Sequence, residues 1–159
     1  MLIKVWPNKY LNYATRDDWL AHRYRIKPNR LRPPVGWVKF SHTETPRCED
    51  PYSCGKMVRT IQETFLDNGF WDIPYNYLIG GDKVVYEGRA THFTPDLPKH
   101  LAHLEDDCID IAYIGNFSVE DPPWEMMETA LTFVAYGVIR TRQILPTFRV
   151  VPYREKVVC

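Results

Sequence analysis

Trp71-Asp72-Ile73-Pro74-Tyr75-Asn76-Tyr77-Leu78-Ile79-Gly80-Gly81-Asp82-Lys83-Val84-Val85-Tyr86-Glu87-Gly88-Arg89 is the stretch from which the fold can be read. Residues 75–79 and 84–87 are rich in aromatic and β-branched side chains, and Gly80-Gly81-Asp82-Lys83 separates them. Two such runs around a glycine-rich turn predict a β-hairpin. Just upstream, Asp50-Pro51 puts a capping side chain before a proline suited to a first helical position. Val58, Ile61, Phe65 and Leu66 then recur at the spacing of one helix face, and Asn68-Gly69 is a stop signal. A helix therefore feeds the hairpin.

Farther upstream, residues 36–40 read as a strand. Residues 1–34 are rich in Pro, Arg and Tyr and read as an arm wrapping a core. Downstream, residues 90–107 form a long polar loop carrying His92, Pro95, Pro98, His100 and His103, and loops of that length are often functional. Residues 109–114 read as a strand. Asp121-Pro122 opens a second helix with Met127, Leu131, Val134 and Val138 on one face, and residues 148–151 form a last strand. Strands interleaved with amphipathic helices predict one α/β domain over residues 35–159, a central mixed β-sheet flanked by helices.

The 159 residues suffice for one core and are short for two. Lys+Arg and Asp+Glu are equal at 20 each, so no net field favours nucleic acid or an anionic membrane surface. The Arg-rich stretch 23–32 is broken by proline and reads as a solvated loop. No apolar run approaches the length of a membrane span, and residues 1–7 lack signal-peptide organisation. Either the protein is cytosolic or this is an excised extracellular domain. Cys48 and Cys54 lie in a polar loop without a CxxC pattern, and their spacing admits a small local disulfide. Cys108 sits in a strand segment and Cys159 is the last residue.

Several segments, in order, resemble the peptidoglycan recognition protein family, relatives of the phage-lysozyme type amidases. Residues 71–82 are similar to the family's W-D-I-G-Y-N-F-L-I-G-G-D, and Val85-Tyr86-Glu87-Gly88-Arg89 to its V-Y-E-G-R. Ile114-Gly115-Asn116-Phe117 resembles the end of its G-N-F strand. Arg16 and Trp19 fit an N-terminal R-x-x-W. Ser41-His42-Thr43, followed by Cys48 and Cys54, resembles its H-H-T or S-H-T segment and the disulfide after it. The resemblance thus implies the amidase-like fold and a Cys48–Cys54 disulfide.

Amidases of the family hydrolyse the bond between the muramoyl lactyl group and L-alanine. The resemblance implies a zinc held by two histidines and a cysteine, with water in the open position losing its proton near neutrality. Here the first histidine position is Ser41. His42, one residue on, points to the opposite strand face. Setting residues 144–148 on the family's I-x-P-x-Y brings Pro152-Tyr153-Arg154 onto its G-H-R, so the second position is Tyr153. The cysteine position falls past the end of the sequence; Cys159 reaches it only by a register slip that puts Val151 at the histidine position. Neutral Ser and Tyr are poor zinc ligands, and a working site would need replacements from His42, His92, His100 or His103. The expectation is therefore no metal, no cofactor and no hydrolysis. Tyr75 keeps the position of the family's catalytic tyrosine.

By resemblance, a ligand cleft is bounded by His42, Thr43, Trp71, Tyr75, Arg89 and Asn116, side chains suited to a muropeptide. The departures fall where ligand is read. Ala90-Thr91 stand where the family has Gly-Trp or Asn-Phe. Ser118 stands where diaminopimelate readers place an arginine, and Pro98-Lys99-His100 replace its G-A-H. Asp106, Asp107 and Asp110 add negative charge beside a site for an anionic peptide. The expected function is a non-catalytic domain of innate immune recognition or its regulation. It binds diaminopimelate peptidoglycan weakly or not at all and contacts other recognition domains or immune signalling proteins, as a secreted domain or receptor ectodomain. The alternatives are an active zinc amidase and a cytosolic domain of unrelated use.

Overall fold

The computed structural model describes residues 1–26 and 28–154. Among the described residues, nine strands and α-helices run in chain order: β1 (Leu2–Trp6), β2 (Lys9–Ala14), β3 (Val35–His42), α1 (Pro51–Asp67), β4 (Tyr77–Ile79), β5 (Val84–Glu87), β6 (Cys108–Tyr113), α2 (Trp124–Ile139) and β7 (Ile144–Val151). These strands form one sheet in the order β1-β2-β5-β4-β6-β3-β7. β1/β2 and β4/β5 are antiparallel, and β2/β5, β4/β6, β3/β6 and β3/β7 are parallel. The sheet is mixed and the domain α/β, as expected.

Period-two alternation sends successive strand residues to opposite faces. Tyr77, Ile79, Val85, Ile109 and Ile111 join Phe133 and Val134 of α2 in one core. Leu78, Tyr86, Ala112 and Ile114 join Val58 and Ile61 of α1 in the other. α1 begins with a capping box: Asp50 Oδ1 accepts from the Ser53 N–H (2.8 Å), and Ser53 Oγ accepts from the Asp50 N–H (3.3 Å). It ends at Asn68, and Gly69 takes φ +88°.

Three expectations need correction. Residues 1–34 do more than wrap the core as an arm, since β1 and β2 make an edge hairpin of the sheet. The loop over residues 90–107 contains a 3-10 helix, Lys99–Asp107. α2 starts at Trp124, after Asp121-Pro122, and its inward face is Met126, Ala130, Phe133, Val134 and Gly137, while Leu131 is 53% exposed. Apolar residues lie nearly all round this helix, so periodicity alone does not choose a face. Gly137 does: a Cβ there would lie 2.7 Å from Ile144 Cδ1, so the helix approaches β7 on that side.

The N-terminal segment is tied down by polar contacts. Arg16 spans Asp72 with two guanidinium bonds (2.9 and 3.1 Å), and Trp19, 1% exposed, donates its indole N–H to Glu87 O at 2.9 Å. Cys48 and Cys54 are bonded, with Cα atoms 5.0 Å apart.

Candidate functional site

Alternation along β3 sets Val38 and Phe40 into the α2-side core and turns Lys39 and Ser41 toward the α1 side. There a cleft of about 510 Å³ opens above the sheet. Its floor is Lys39, Ser41 and Asp110. Phe65, Phe70, Pro74 and Tyr75 form one wall, Asp96, Leu97 and Pro98 another, and His42, Thr43, Glu44 and Tyr153 one end.

The floor is a compact charged cluster. Lys39 Nζ donates to Ser41 Oγ, and Ser41 Oγ donates to Asp110 Oδ1 at 2.6 Å. Lys39 Nζ also lies 3.6 Å from Asp110 Oδ2. The Asp110 backbone N–H donates to Asn76 Oδ1 at 2.7 Å. Burial raises the Asp110 pKa, against the opposing pull of the Lys39 ammonium and the Ser41 hydroxyl. Burial, helped by the Asp110 and Glu44 carboxylates, also keeps the Tyr75 phenol protonated well above its usual range.

At the cleft's end, His42 Nδ1 accepts from the Phe117 N–H at 3.0 Å, which assigns the neutral ring's proton to Nε2, 4.0 Å from Glu44 Oε1. The Tyr153 hydroxyl donates to Asp121, and its ring meets His42 edge-on at 6.3 Å. Thr43 Oγ1 accepts from the Gly115 N–H at 3.0 Å. The structure thus gathers Ser41, His42, Thr43, Tyr75 and Tyr153 around one cleft.

The other anticipated ligand contacts do not line it. Arg89 is 2% exposed; its guanidinium donates to Ile73 O (2.6 Å), Thr94 O (2.8 Å) and Asp96 (2.5 Å), and lies 3.7 Å from the Trp71 ring centroid. Both residues serve the loop behind the cleft wall. Ala90 and Thr91 are buried, with Thr91 Oγ1 donating to Gln143 Oε1 at 2.5 Å. Asn116 and Ser118 form an exposed local turn, in which Asn116 Oδ1 accepts from the Ser118 hydroxyl at 2.7 Å. His100 lies on the exposed side of the 3-10 helix. Asp106 is exposed, and Asp107 accepts the Gly36 N–H at 2.7 Å, so neither lines the cleft. Lys39 went unread in the sequence, although its place two residues before Ser41 puts it on the same strand face.

These residues do not fit a zinc ion. An ammonium occupies the floor next to Ser41, and Tyr153 is engaged with Asp121. His92 and His103 do not line the cleft. Among the described residues, no three His, Cys, Asp or Glu side chains are grouped to hold a metal. Cys159 lies outside the described residues.

Residues 12–155 match the N-acetylmuramoyl-L-alanine amidase family. A peptidoglycan-recognition protein of Drosophila melanogaster is 35% identical over 136 residues, covering 86% of this chain and 72% of the relative. The chain belongs to the peptidoglycan recognition protein family. That family is one of peptidoglycan recognition and innate immunity. The crystal structure of Drosophila peptidoglycan recognition protein SD superposes with a TM-score of 0.83 at 26% identity, covering 90% of this chain and 83% of that one. Peptidoglycan recognition protein-LE, solved with tracheal cytotoxin, a monomeric diaminopimelic acid-type peptidoglycan, superposes with a TM-score of 0.81 at 27% identity over 89% and 81% of the two chains. Among the described residues, no helix is long and apolar enough to cross a membrane.

Proposed function

We propose that this chain is a non-hydrolytic recognition domain. It takes muropeptides weakly, discriminates against those containing diaminopimelate, and acts in immune recognition or its regulation through contacts with other proteins. The observation that carries this reading is the cleft floor. Where a family amidase needs two imidazoles, this chain has Ser41 and Tyr153, and the Lys39 ammonium already takes up both Ser41 Oγ and the Asp110 charge that a dication would need. A relative of the same fold carries a diaminopimelic acid-type fragment, which supports a muropeptide cleft. Reading the extra diaminopimelate carboxylate calls for a guanidinium in a bidentate pair, worth roughly 1.5–3 kcal/mol. Ser118 supplies none, and Arg89 is turned into its own loop. The loss corresponds to a weakening of roughly tenfold to a hundredfold. The Cys48–Cys54 disulfide supports an extracellular setting, in a secreted protein or a receptor ectodomain.

Two measurements test the reading. Elemental analysis should find no stoichiometric zinc, and incubation with peptidoglycan should release no L-alanyl peptides; zinc together with release would overturn it. Calorimetry with a diaminopimelate-containing muropeptide should give affinity weaker than micromolar.

A further inference from the structure

Lys39, Ser41 and Asp110 form a charge-balanced floor beneath the cleft. An ammonium has three N–H donors. One of those on Lys39 goes to Ser41 Oγ, Nζ lies 3.6 Å from Asp110 Oδ2 as an ion pair, and the side chain is 13% exposed along the cleft floor. The carboxylate beside it is 2% exposed. A ligand oxygen reaching the floor therefore meets a charged donor whose positive charge is already offset by a neighbour it cannot displace. For a carboxylate this arrangement gives little net attraction, because Asp110 repels what Lys39 attracts, and full desolvation of the anion is costly. A neutral carbonyl gains a charge-assisted hydrogen bond with no ion to desolvate. Glu44 at the cleft's end adds further negative charge against an anion.

We infer that Lys39 is the specificity-determining anchor of this cleft and that, held by Ser41 and Asp110, it selects a neutral amide carbonyl over a carboxylate at the floor. The inference rests on the muropeptide reading above and adds the chemical form of the group recognised. Asp110 acts as a positioning residue that sets the preference by cancelling charge.

The test uses the full chain and two probes that differ at one group: N-acetylmuramic acid, with a free lactyl carboxylate, and its primary lactyl amide, in which the same carbonyl is a neutral amide. Dissociation constants come from NMR titration. The wild-type chain should favour the amide by about fivefold or more, and Lys39→Met should weaken amide binding by about tenfold, as expected for loss of one charged donor. Asp110→Asn leaves the ammonium uncompensated and should shift the preference toward the acid. Because Lys39→Met alone leaves a buried aspartate without its cation, the neutral pair Lys39→Met/Asp110→Asn provides a second reading of the lost anchor. Wild-type chain that binds neither probe sinks both this inference and the muropeptide reading. Amide binding unchanged in the Lys39 variants, or a wild-type preference for the acid, sinks the anchor alone.

Discussion

Asp110 lies wholly inside the fold, and burial holds its proton more tightly there than in the unfolded chain, despite Lys39 and Ser41. An acid with a raised folded pKa gives a stability contribution that is full below its unfolded value near 4 and is lost as pH rises through the folded value. Asp110→Asn removes that dependence. Relative to wild type, it should grow more stable as pH is raised from about 4; a difference in melting temperature that does not change with pH would contradict this. Arg89 makes a second case. Its guanidinium serves the carbonyls of Ile73 and Thr94 and the Asp96 carboxylate from a fully enclosed position. Arg89→Leu leaves the Ile73 and Thr94 carbonyls without their donor and should lower stability to urea by about 2–6 kcal/mol, at roughly 1–3 kcal/mol for each buried group left unsatisfied. The two residues differ in how far sequence could speak for them. Ser41 and Tyr153 could be placed by motif register, and both reach the cleft. Arg89 looked like a ligand contact, because nothing local in V-Y-E-G-R says that carbonyls on either side of it close over the side chain.

At the scale of elements, the signals that succeeded were short-range and chemically specific. The Asp50-Pro51 start and the Asn68-Gly69 stop fix the local backbone by a side-chain bond and a φ preference, whereas in the turn before β5 the left-handed residue is Lys83 (φ +65°) and Gly81 is required by its approach to Cys48 O. α2 and the β1–β2 hairpin were set by tertiary packing, which periodicity does not encode. The bridge between Cys48 and Cys54 pins the entry to α1, and so short a loop contributes about 2–3 kcal/mol. Iodoacetamide on the native, unreduced protein should modify neither of these cysteines. Cys108, buried in β6 with its thiol pushed up to about 12 by burial, should also resist until the protein is denatured; mass spectrometry before and after denaturation reads both results. Gly88 holds the exit of β5 against the chain before β4. A Cβ there would lie 2.2 Å from Tyr75 O, so Gly88→Ala must push backbone apart, at a cost of about 1–3 kcal/mol measurable by denaturant titration.

For the whole molecule, sheet order matters more than any single contact. The N-terminal hairpin covers the edge of β5 through β2, and its Val5 and Leu11 are buried in the larger core. Removing residues 1–14 should therefore expose a strand edge and apolar surface together. The truncated chain should run as aggregates in size-exclusion chromatography, where the intact chain elutes as a discrete species. The position of β3 has another consequence. It lies between β6 and β7, both parallel to it and both later in the chain. During synthesis β3 leaves the ribosome long before either partner exists, so its apolar residues wait without a sheet to join. The domain cannot close vectorially from its N-terminus; β3 must wait for β6 on one side and β7 on the other, and until then its apolar residues are open to aggregation.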